Sequence, residues 1–189
     1  DLEVLNYVRV LTEQRLAGAI VVLADRDEDS PWAERLPPGV RFVEFGKICR
    51  DLAEADQQRL LTILLLQLAP AVVHNVNSSL GYQIFIKYGR ALCSVSRLYC
   101  LIFCDNVTPT GEVTGYVLSD LPRCFDHLTA VFSDNQRVLT DLRQTVALDS
   151  DKLFVHYQPM PIEGWPSRCT MPRERGQLEE ADVALLDGF

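Results

Sequence analysis

The chain has 189 residues, 48% hydrophobic and 23% charged, which suits one folded domain. A chain of this length buries roughly 70% of its unfolded surface and needs no disulfide or metal staple. The formal net charge is −8, and Asp and Glu outnumber Lys and Arg by 26 to 18. That balance excludes a broad nucleic-acid or anionic-membrane surface, because phosphate binding draws its affinity from basic side chains.

Residues 1–18 mix acids and bases throughout, unlike a signal peptide. Within them Val4, Tyr7, Val8 and Leu11 mark one face of a helix, and Gly18 suits the position past its end. Residues 19–24 form a continuous apolar run, expected to be a strand buried on both faces. An acidic loop follows at 25–30, then a strand over 40–45. A leucine-rich helix is expected over 52–68, stopped by Pro70. Thr62, Gln67 and Pro70 interrupt the longest apolar stretch, 60–73, so it falls short of the about 20 residues that span a bilayer. Membrane contact is therefore expected to be peripheral at most, and the location cytoplasmic.

Residues 71–74 read as a short strand. Leu80, Ile84, Tyr88 and Leu92 then repeat every fourth residue on a helix capped by Ser78 or Asn77. A strand over 98–103, a polar loop over 105–115, a short helix near 116–125 and a strand over 128–132 come next. Ser133 and Gln136 fit a capping box for a helix whose apolar face is Val138, Leu142 and Val146. The last strand, 153–156, is stopped by Pro159. Strand–helix alternation at this spacing predicts an α/β fold, a Rossmann-like three-layer sandwich around a parallel sheet. The domain is expected to occupy 1–159. Pro161, Pro166 and Pro172 then mark 160–189 as a linker or extension.

The six cysteines contain no C-x-x-C and no zinc-ribbon spacing. Cys100 and Cys104 fall on one predicted strand, where four residues span about 13 Å, too far to share a metal ion. Most sit among apolar residues, as buried reduced thiols do, which points to a reducing compartment. No metal and no cofactor is expected.

Open parallel sheets bind ligands beyond the carboxyl ends of their strands. That rule selects Asp25-Arg26-Asp27, the run from His74 to Ser78, Cys104-Asp105-Asn106, and Ser133-Asp134-Asn135. Their Asn, Asp, Ser and His side chains suit ligand hydroxyls, although turns and caps call for the same residue types. His74 ends a strand, where an imidazole can orient a hydroxyl or act as a base, or simply hold a structural hydrogen bond. A nucleophilic Cys104 is opposed by its neighbour Asp105, which disfavours the thiolate. Asp25 and Asp27 read as a solvated acidic loop before they read as a cation site. No Walker loop or G-x-G-x-x-G follows any strand.

The run Val72-Val73-His74-Asn75-Val76-Asn77-Ser78-Ser79-Leu80-Gly81-Tyr82 resembles the strand-to-helix segment in N-terminal domains of bacterial retaining glycosyltransferases of the large "group 1" family. The order of segments 98–105, 120–135 and 152–159 is similar to theirs, so the resemblance covers about residues 1–160 in pattern. It implies one half of a GT-B architecture, in which this domain holds a sugar acceptor, a saccharide or a lipid-linked glycan. A second domain, expected beyond residue 189, would hold the nucleotide-sugar donor. On that reading His74 and Asp105 are the catalytic candidates. Asn75, Asn77, Ser78, Gly81, Tyr82, Asn106, Ser133, Asp134 and Asn135 are the acceptor-binding candidates. The chain departs from the family at Phe103, which is followed by Cys104 where many members carry a histidine. A non-catalytic Rossmann-like binding module is the alternative.

Overall fold

The computed structural model describes residues 2–103, 106–107, 109–110, 113–145 and 148–157, within a unit spanning Asp1–Pro159. Cys104, Asp105, Val146 and everything from 158 onward, including the expected linker, lie outside the described residues. In chain order come α1 (Leu2–Glu13), β1 (Val21–Leu23), β2 (Arg41–Val43), α2 (Phe45–Cys49), α3 (Glu54–Leu68), β3 (Val72–Val76), α4 (Ser79–Leu92) and β4 (Arg97–Ile102). There follow β5 (Asn106–Val107), β6 (Val113–Thr114), α5 (Tyr116–Ser119), α6 (Leu121–Cys124), β7 (Ala130–Ser133), α7 (Gln136–Thr145) and β8 (Leu153–Val155). The architecture is α/β and Rossmann-like, as the alternation predicts.

Strands β3, β4, β7 and β8 form a parallel sheet in that order, with His74 beside Tyr99, Leu101 beside Phe132 and Phe132 beside Phe154. Each step moves to the next position in the same direction, and right-handed crossovers then send every connecting segment to one face. The core follows that rule. A single apolar cluster joins α2, α3, α4, α5, α6 and α7 to Leu98, Cys100, Ile102, Val131 and Leu153 of the sheet. The side chains that alternate with these, His74, Tyr99, Leu101, Ala130, Phe132 and Phe154, face the other way. There α1 lies over the sheet, with Tyr7 set edge-on to His74 at 4.8 Å and stacked on His156 at 5.2 Å. Leu5 and Val8 of α1 are buried.

A second, two-stranded parallel sheet pairs β1 with β2, Val21 beside Arg41 and Leu23 beside Val43. Burial on both faces was expected of β1, yet Val21 is 42% exposed, because β1 has only β2 as a ladder partner and is three residues long. Helix α1 ends at Glu13, and Arg15 takes the left-handed backbone (φ 52°) expected nearer Gly18. The expected helix over 116–125 is two four-residue helices and a 3₁₀ turn at Phe125–His127. Pro122 has no N–H to continue the first helix into the second.

Helix α3 carries Glu54 and Asp56 in its first turn, where acids complement the helix dipole, and closes on Ala69 at φ 40° just before Pro70. The capping box at Ser133 does not form. Ser133 remains the last residue of β7, paired with Ile102 and Val155, and Asn135 caps α7 by accepting from the Arg137 N–H at 2.9 Å. Among the described residues Cys49, Cys100 and Cys124 are free, buried thiols, and Cys93 is free and exposed. No described helix is long and apolar enough to cross a membrane.

Candidate functional site

Strand β3 delivers the chain to a turn at 76–78 and then to α4. Asn77 takes a left-handed conformation (φ 57°), which Asn tolerates better than most residues. Ser78 caps α4, its Oγ accepting from the Gly81 N–H at 2.9 Å. The same hydroxyl donates to Asp25 Oδ2 at 2.5 Å, so the loop after β1 is fastened to the start of α4. From this junction β1 leads to β2 in one sheet, while β3 leads to β4, β7 and β8 in the other. The residues after the carboxyl ends of β1 and β3 thus meet through one hydrogen bond, and the carboxyl ends of parallel strands are where α/β folds bind ligands.

Two adjoining clefts lie there. One, of about 300 Å³, is lined by Asp25, Arg26, Glu54, Gln57, Asn77, Ser79, Leu80 and Tyr116. The other, of about 410 Å³, is lined by Asp25 to Glu28, Gly46, Arg50 and Gln57. Gln57 is held at their shared rim, its Nε2 donating to the Cys49 and Leu52 carbonyls at 3.0 Å each. Gly46 is required beside the second cleft, because a Cβ there would collide with the Asp25 and Arg26 main chain. Tyr116 reaches the first cleft with its ring stacked on Tyr82, 5.2 Å between centroids and 22° between planes.

Several expected site residues serve the fold instead of the crevice. Asn75 is 5% exposed and closes its own turn: Oδ1 accepts from the Ser78 N–H at 2.9 Å and Nδ2 donates to the Ser78 carbonyl at 3.2 Å. Gly81 lets α4 approach that turn, since a Cβ would lie 2.7 Å from the Asn75 side chain. Tyr82 is wholly buried; among the described residues its hydroxyl finds no nitrogen or oxygen partner, and it faces the Cys100 thiol. Burial, foremost, then the neighbouring Cys100 and Cys124, push the Tyr82 phenol far above its usual range.

His74 lies on the other face of the sheet. The residue alternation of β3 puts it on the face opposite Asn75, away from the α4 side of the sheet, among Tyr7, Tyr99, Phe132 and His156. Its Nε2 is buried and has no hydrogen-bond partner among the described residues, and burial, with His156 nearby, lowers its pKa from 6.5 to about 4. The imidazole is thus neutral and enclosed on the α1 face, and it lines neither cleft.

Ser133 is also fully buried, its Oγ accepting from the Asn135 N–H at 3.1 Å. Asp134 and Asn135 stand at the carboxyl end of β7, two strands or about 10 Å from β3, and line neither cleft. The backbone of Asn106 pairs with Thr114 in the β5–β6 hairpin, and Asp105 lies outside the described residues. Of the residues selected on sequence, Asp25, Arg26, Asp27 and Asn77 line the clefts and Ser78 is bonded to Asp25, whereas His74, Tyr82 and Ser133 line neither.

No family model, curated protein or solved structure matches the chain.

The strand-tip rule does not reach Glu54, Gln57, Gly46, Arg50 and Tyr116, because they stand in the first turns of helices, at the end of α2 (Arg50) or after a hairpin (Tyr116). The one sequence signal for them was Gly115-Tyr116, a glycine before an aromatic residue at the end of a polar loop. Among the described residues no three His, Cys, Asp or Glu side chains are grouped to hold a metal ion.

Proposed function

We propose that this chain is a carbohydrate-binding α/β domain, the acceptor-side half of a GT-B-type glycosyltransferase. The observation that carries the reading is the 300 Å³ cleft beside the Asp25–Ser78 junction, which combines carboxylates, amides, a guanidinium and an aromatic ring. Sugars need paired donors and acceptors for their hydroxyls and a flat apolar surface for their ring, and this lining offers both. Two carboxylates stand against one guanidinium, which disfavours a phosphate and favours an uncharged ligand. On this reading the nucleotide-sugar donor belongs to a second domain outside residues 1–189. This domain contributes position: an acceptor hydroxyl held at the anomeric carbon as the nucleoside diphosphate leaves. Such positioning is worth ~7–11 kcal/mol in favourable cases.

The test is transfer by the protein that carries both halves. Asn77→Ala, Gln57→Ala and Asp25→Asn are each expected to raise the acceptor KM severalfold and leave the donor KM nearly unchanged. An unchanged acceptor KM in all three would remove the cleft from the reaction.

A second reading, a binding module of the same fold without transfer activity, is favoured by one observation. His74, a catalytic candidate on sequence, sits on the α1 side of the sheet. Under that reading the cleft binds saccharide and no transfer is detected with any nucleotide-sugar.

A further inference from the structure

The geometry points to Tyr116 as the platform on which a pyranose ring stacks in the 300 Å³ cleft, whose carboxylates disfavour charged phosphates. The inference rests on the carbohydrate reading above and adds to it the surface that recognises the ring.

Tyr116 opens α5, directly after the β5–β6 hairpin, and is half-buried. One side of its ring is occupied by Tyr82, nearly parallel at 22°. Tyr82 cannot move aside, because it is fully enclosed between α4 and the sheet. The ring of Tyr116 is thus fixed in plane before any ligand arrives. Tyr116 lines the cleft together with Glu54 and Gln57 of α3 and with Asn77, Ser79 and Leu80. A pre-ordered aromatic surface loses little conformational freedom on binding, which is why rigid rings act as anchors in ligand sites. Around it stand groups that address hydroxyls: the carboxylates of Asp25 and Glu54, the amides of Gln57 and Asn77, and the guanidinium of Arg26. The ring itself would stack a nucleobase as readily as a sugar, and it is the carboxylates of Asp25 and Glu54 that disfavour a ligand carried on phosphates.

The experiment titrates the 189-residue chain with glucose, galactose, mannose and N-acetylglucosamine, each separately, and with uridine diphosphate, following amide shifts by NMR. At least one sugar is expected to shift Asn77, Gln57 and Tyr116 together, and uridine diphosphate is expected to leave them unmoved. Tyr116→Phe should bind within about twofold of the parent, since the ring and not the hydroxyl is the platform. Tyr116→Ala should bind at least tenfold more weakly. Tyr116→Leu keeps an apolar side chain against Tyr82 while removing the flat ring, and it should weaken binding as much as Tyr116→Ala. Sugar binding at the cleft that Tyr116→Leu leaves unchanged overturns the platform and spares the carbohydrate reading. Uridine diphosphate bound at the cleft, or no sugar bound there, overturns both.

Discussion

Residue by residue, the strongest contrast lies within one strand. Asn75 and His74 are neighbours, and the two-residue period of β3 sends them to opposite faces of the sheet. Asn75 satisfies its amide within the turn that begins α4, whereas the His74 ring fills a gap beneath α1. Burial and the nearby His156 hold His74 neutral in the folded protein, with its pKa down at about 4 from 6.5. The sign of the consequence follows from proton counting. Between those values the unfolded chain binds a proton at this position and the folded chain does not, so stability falls as pH drops from 6.5 towards 4 and levels off below. The full loss is on the order of 3 kcal/mol at about 1.4 kcal/mol per unit. Urea unfolding at pH 7, 5.5 and 4 checks it: His74→Phe should flatten much of the acid slope, and an unchanged slope would show that His74 charges freely in the fold. On the same face Tyr7, whose phenol burial and then Glu3 push up to about 12, stays protonated across this range.

At the scale of elements, helix starts separate local preference from what the sheet imposes. Ser78 caps α4 as its sequence context predicts, because β3 ends two residues earlier and the turn through Asn77 brings the hydroxyl under the first N–H groups. Ser133 has the better capping-box sequence and does not cap. Parallel pairing of β7 with β4 and β8 keeps it in the ladder, and its hydroxyl supports Asn135, which caps α7 in its place. Asn135→Ala is therefore expected to cost about 1 kcal/mol, the usual loss of an N-cap. Ser78→Ala should cost at least as much, since the same hydroxyl also holds Asp25. Chemical denaturation of both variants measures the difference, and a neutral Asn135→Ala would return the cap to another residue. The Asp25–Ser78 bond is also what makes a site of the junction, joining the loop of one sheet to the helix of the other.

For the molecule as a whole, the unequal faces of the sheet follow from strand order. Strands placed in sequence order gather their crossovers on one side, and that side holds the main apolar cluster. On the other side, α1 covers part of the surface, and Phe154 at the β8 edge remains 47% exposed. Protection should follow the same gradient. Amide exchange is expected to be slowest in β4 and β7, flanked by strands on both sides, and clearly faster in the three-residue β1–β2 pair. Equal protection in β1 and β4 would contradict that ranking. By itself the sequence determined the fold class and the order and type of most elements, because apolar runs, four-residue spacing and proline stops are local signals. It also located the crevice approximately, since ligands gather at the carboxyl ends of parallel strands. Only the tertiary structure decided which side chains reach that crevice. The direction of a strand residue is set by register and pleat: His74 turned under α1, Ser133 stayed in its ladder, and Glu54, Gln57 and Tyr116 arrived from segments distant in the chain.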